Sequence, residues 1–84
     1  MAGDWKRVER DLRWVLDRRN NAAAFAEMDD ALRANDVNTM GAVKDAFHKS
    51  QSSTPVQANF DACATENQGR LYNLGRAILR LPAV

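Results

Sequence analysis

One histidine, one cysteine and a few clustered carboxylates are the side chains of this 84-residue chain whose types could do chemistry. A nucleophilic triad needs a nucleophile, a base and an orienting group, and a single imidazole gives few ways to assemble one. His48 follows Phe47 near the end of a short apolar-periodic segment, where a cationic ring suits helix C-terminal carbonyls, so a capping or surface role is expected of it. Asp29 and Asp30 are adjacent, which on a helix points them about 100° apart and away from any common metal or substrate. Glu27 and Asp30 share a face at i, i+3, but without further ligands they read as a solvated surface, and no metal site is expected.

Cys63 has no partner for an internal disulfide, and with His48 it offers too few soft ligands for structural zinc. Its place on an apolar stripe marks it as a small core residue. Gly3, Gly41, Gly69 and Gly75 fit neither a phosphate loop nor a dinucleotide fingerprint, so no nucleotide or other cofactor is expected. These readings together imply that the protein is not an enzyme.

The elements that must position any working surface are helical. Asp4 can cap a first helix over about residues 4–19, with Trp5, Val8, Leu12, Val15 and Leu16 on one face. Asn21 can cap a second, over 22–34, with Phe25, Met28 and Leu32 inward and Asn35 suited to a left-handed end. Asp36, Asn38 or Thr39 can start a third, over 38–49, carrying Met40, Val43 and Phe47.

Thr54-Pro55-Val56-Gln57 joins a capping-box pattern to a proline at the first helical position. From there Val56, Phe60, Cys63, Leu71, Leu74, Ile78 and Leu81 predict a long C-terminal helix over 55–81, about 40 Å at 1.5 Å per residue. Asn67 interrupts its stripe and Gly69 follows, so a bend near 66–69 is one outcome and an overhang the other. No strand pattern, internal repeat or linker divides the chain, which predicts one all-α domain over 1–84, a small bundle of three or four helices.

Twelve basic and eleven acidic residues leave a net charge of +1, too little for an overall field. Residues 1–20 carry six basic and four acidic side chains, residues 21–50 three and five, and residues 51–84 three and two. The ends are mildly basic and the middle mildly acidic. Met1-Ala2-Gly3-Asp4-Trp5 turns charged at once, and no stretch approaches the roughly 20 apolar residues of a membrane span, so a cytoplasmic location without membrane contact is expected.

The turn from Asn35 to Thr39 invites comparison with a helix-turn-helix. A recognition helix would need apolar residues near positions 41 and 44, where Gly41 and Lys44 stand, and Asp36 and Asp45 oppose its few cations. A helix-turn-helix-like nucleic-acid-binding regulator is therefore the alternative reading.

The leading one rests on surfaces the core does not require. With Trp5 at zero, Trp14 falls at about 180° on the first helix, opposite the apolar stripe, with Arg7, Arg10 and Arg18 around it and Asp11 and Asp17 at the edges. This is a face for a partner or for packing against the overhanging end of the last helix. Trp and Arg are the residue types most enriched among interface hot spots. On the last helix Tyr72 and Leu79 lie about 140° to 160° from the main stripe with Arg76 beside them, a second seam for a partner or for covering a neighbouring helix. The sequence thus predicts a small non-catalytic protein-binding module, an adaptor, inhibitor or immunity-type protein. It would act stoichiometrically through Trp14, Arg7, Arg10, Arg18, Tyr72, Arg76 and Leu79, with a homodimer as one form. Phage- and plasmid-encoded inhibitors share this general profile.

Overall fold

Side chains that hydrogen-bond the backbone set most helix boundaries in the computed structural model, which describes residues 3–84. Met1 and Ala2, where the reading of the N-terminus begins, lie outside them. The Asp4 carboxylate accepts from Arg7 N at 3.1 Å and opens α1 (Trp5–Val15). That helix stops four residues short of the expected end at 19. Asp17 accepts from Arg19 N at 3.0 Å, and Asn20 Nδ2 donates to Trp14 O at 2.9 Å. These polar side chains offer the backbone a turn in place of another helical hydrogen bond.

Asn21 then caps α2 (Ala22–Arg33), accepting from Ala24 N at 3.1 Å, and Asn35 takes the left-handed φ of 59° that its position suggested. A 3-10 turn over Val37–Thr39 leads into α3 (Met40–Ser50). The next helix, α4 (Thr54–Glu66), has Pro55 in its first turn, as the sequence implied, but its cap is Ser53 and no capping box forms. Gln57 instead sends its amide to His48 O at 3.2 Å and Gln51 O at 2.6 Å, satisfying carbonyls at the end of α3.

The long C-terminal helix is not one rod. It breaks at Asn67 into α4 and α5 (Gln68–Ile78), so the described residues form five helices of 11 to 13 residues in place of three or four. Asn67 ends α4 through its N–H to Cys63 O at 2.9 Å and starts α5 by accepting from Arg70 N at 3.0 Å. One residue (φ −158°, ψ 89°) thus ends one helix and caps the next, its side chain standing in for one of the backbone hydrogen bonds that the break removes. A straight rod of about 40 Å would also outrun a molecule whose longest extent is 29 Å.

All five helices contribute to one core, in which Leu12, Met28, Leu32, Val43, Phe47, Phe60, Cys63, Leu71 and Tyr72 are almost fully enclosed. Phe47 and Phe60 stack with ring centroids 4.1 Å apart and join α3 to α4. The start of α1 is strapped to the break between α4 and α5. Trp5 Nε1 donates to Glu66 at 3.0 Å, Arg70 covers the Trp5 ring at 4.0 Å, and Asp4 exchanges hydrogen bonds with Asn59 at 2.7 and 3.1 Å. Gly3 sits so close to α4 that a Cβ there would lie 2.4 Å from Cys63 Sγ.

Candidate interaction surface

The strap orients α1 with Val8, Leu12 and Val15 inward, and the opposite side of that helix is left uncovered. Trp14 is 47% exposed, one of two large apolar residues exposed among the described residues, the other being Val84. Arg7 and Arg10 are exposed on the same helix, and neither pairs with a carboxylate among the described residues. Arg18 departs from the expected cluster. Because α1 ends at Val15, Arg18 lies in the following turn, and its guanidinium sits 5.2 Å from the Phe25 ring of α2.

The turn beside Trp14 is locally braced. Arg19 reaches back to Asp17 at 2.7 Å, and this hydrogen-bonded partner holds the Asp17 carboxyl at about 2, below its ordinary 3.8. A carboxyl whose folded-state value is depressed adds stability that is present above its unfolded value and is lost as pH falls through the folded one. The Asp17 contribution is therefore complete above about pH 4 and fades toward pH 2. An NMR carboxyl titration of Asp17 reads this directly, and Arg19→Ala is expected to return its midpoint toward 3.8. An unchanged midpoint in that variant would remove Arg19 as the cause.

The second seam does not reach solvent as a unit. Tyr72 is fully enclosed and Arg76 is 4% exposed, while Leu79 is half-buried against the core. The Tyr72 hydroxyl lies 2.8 Å from Ala31 O and 3.1 Å from Leu32 O, where its proton satisfies the end of α2, and it accepts from Asp36 N at 3.3 Å. Arg76 donates to Leu32 O at 2.5 Å and to Pro82 O at 2.8 Å. Helix C-terminal carbonyls lack intrahelical partners, and a guanidinium beside them is favoured by both hydrogen bonding and the helix dipole. Tyr72 and Arg76 thus close α2 from within the chain and leave no surface for a partner.

Arithmetic along a continuous helix could not place this seam, because the break at Asn67 turns Leu71, Tyr72, Gly75 and Arg76 inward together. Gly75 was a usable signal. It lets α5 approach α2 so closely that a Cβ would meet Leu32 Cδ2 at 2.9 Å.

His48, expected to cap a helix or lie at the surface, is partly exposed and pairs across helices. Its Nε2 lies 2.8 Å from Asp61 Oδ1, so the ring joins α3 to α4, and it hydrogen-bonds no hydroxyl or thiol among the described residues. Cys63 is buried, and burial pushes its thiol above the usual range. Among the described residues no group of three or more His, Cys, Asp or Glu is placed to hold a metal ion, and no helix is long and apolar enough to cross a membrane.

A shallow groove of about 520 Å³ runs between α2 and α3. Ala31, Ala34 and Ala42 line it, with Glu27, Asp30, Asp45 and Lys49 around them. Lys49 faces Glu27 at 3.4 Å, and Asp29 turns away to pair with Arg33 at 3.0 Å, the divergence from Asp30 that helical spacing implied. Asp30 and Asp45 make no ion pair among the described residues.

No family model, curated protein or solved structure matches the chain. Its class is defined by its own geometry: an all-helical fold of five short helices with an aromatic and cationic face on α1.

Proposed function

We propose that the protein is a non-catalytic module that binds a protein partner stoichiometrically, as an adaptor, inhibitor or immunity-type protein. The observation that carries this reading is the exposure of Trp14 on the helical face that also carries Arg7 and Arg10, both exposed and without an ion pair among the described residues. An indole in water forgoes the burial that normally stabilises so large an apolar side chain, and guanidinium groups beside it can stack on aromatic rings or clasp carboxylates. Arg18, held over Phe25, contributes at the edge of this surface, and Leu79 remains partly accessible. Tyr72 and Arg76 are not part of it.

The test separates binding from folding. Trp14→Ala is expected to change the unfolding free energy by no more than about 0.5 kcal/mol. It should also weaken a partner captured from the native host's lysate by about 2 kcal/mol or more, roughly 30-fold in dissociation constant, by isothermal titration calorimetry. A collapse in melting temperature, or an affinity unchanged by the substitution, would count against the proposal.

A further inference from the structure

The α1 face and the α2–α3 groove have opposite character, and neither is covered by the described residues. On α1, Arg7 and Arg10, unpaired among the described residues, precede an exposed indole by seven and four positions on the same helical face. In the groove, two unpaired carboxylates, Asp30 and Asp45, flank a lining of alanine methyl groups that lets a flat ring approach the helix backbones. We propose that the Trp14 face of one copy of this chain docks in the α2–α3 groove of a second copy, Trp14 over Ala34 and Ala42 and Arg7 and Arg10 toward Asp30 and Asp45.

The inference rests on reading the Trp14 face as a protein-binding surface, and it names a second copy as the occupant. Charge complementarity selects that occupant: Arg7 and Arg10 on the face meet Asp30 and Asp45 in the groove, where Glu27 and Lys49 neutralise each other. Hydrogen bonds between ionised groups are roughly twice as strong as neutral ones, and opposed patches also exclude pairing of like with like. Two copies cannot meet face to face through their arginines, nor groove to groove through their carboxylates. Each contact therefore joins different surfaces of the two copies, and the association weakens as salt screens it.

Sedimentation equilibrium on the full chain tests this with two variants. One reverses the groove (Asp30→Lys with Asp45→Lys) and the other disables the face (Trp14→Ala with Arg10→Glu), all at exposed positions, with circular dichroism confirming that each folds. The unsubstituted chain is expected to rise above monomer mass with concentration and to fall back at high salt. Each variant alone should weaken self-association about 30-fold or more, and an equimolar mixture should recover a heterodimer, because one variant keeps the face and the other the groove.

A monomeric chain at every concentration, or a mixture that fails to complement, overturns the inference. If Trp14→Ala still weakens a captured foreign protein in that case, the second copy is lost as occupant and the protein-binding reading stands. If the mixture complements while no foreign partner depends on Trp14, self-association is the function of this face.

Discussion

Tyr72→Ala is expected to lower the unfolding free energy by about 3–5 kcal/mol, the range for deleting a large aromatic side chain from a core. Folded domains hold about 0.05–0.15 kcal/mol per residue, so a chain of this length has roughly 4–13 kcal/mol in all, and the variant would sit near the folding threshold. Two effects combine. The ring, fully enclosed, leaves a cavity where α2 and α5 meet. The hydroxyl, within 2.8 Å of Ala31 O and 3.1 Å of Leu32 O, is one of two donors to the end of α2, where Thr39 Oγ1 also reaches Ala31 O and Arg76 also reaches Leu32 O. Its loss leaves Asp36 N without its acceptor.

Tyr72→Phe isolates the second effect. It keeps the ring and should cost about 0.5–1.5 kcal/mol, the net worth of an intramolecular hydrogen bond whose carbonyl partners retain a second donor. Urea denaturation monitored by circular dichroism measures both, and a loss below 1 kcal/mol in the alanine variant would return Tyr72 to the surface seam that its helical angle suggested. Trp14→Ala and Tyr72→Ala should give opposite outcomes, although helical angle alone places both aromatic residues off the main apolar stripes.

Phe60→Ala is expected to cost a similar 3–5 kcal/mol. Phe60 and Phe47 are both fully enclosed and stack at 4.1 Å with planes 14° apart, so truncating one ring removes its own burial and the surface against which the other packs. A double-mutant cycle with Phe47→Leu and Phe60→Leu should return a coupling of about 0.5–1.5 kcal/mol beyond area burial. A coupling near zero would mean that each ring is held by its other neighbours. The same truncation loosens α3 against α4, where His48 and Asp61 meet at 2.8 Å.

Local physics was legible where one residue's side chain answers the backbone beside it. Asp4, Asn21 and Asn35 serve the boundaries that their types implied, because capping and left-handed turns involve atoms two or three residues apart. Pro55 marked the start of α4 for the same reason, although the partner chosen by Gln57 lies on α3 and so could not be read from spacing. At Asn67 the sequence showed an interruption without its outcome. An asparagine can remain in a bent helix or cap a new one, and the choice depends on where α5 finds apolar cover.

By itself the sequence determined the helical class, the inward stripes of α1, α2 and α3, and the outward position of Trp14. Each of these follows from residue types repeated at 3.6 per turn, a property of one segment. Only the tertiary structure decided that the C-terminal stretch is two helices, that Arg18 turns to Phe25, and that Tyr72 and Arg76 are interior. The interior placement of Tyr72 and Arg76 meets carbonyls at the end of α2, some forty residues away in sequence, whose demand for donors appears only once α2 and α5 are packed together.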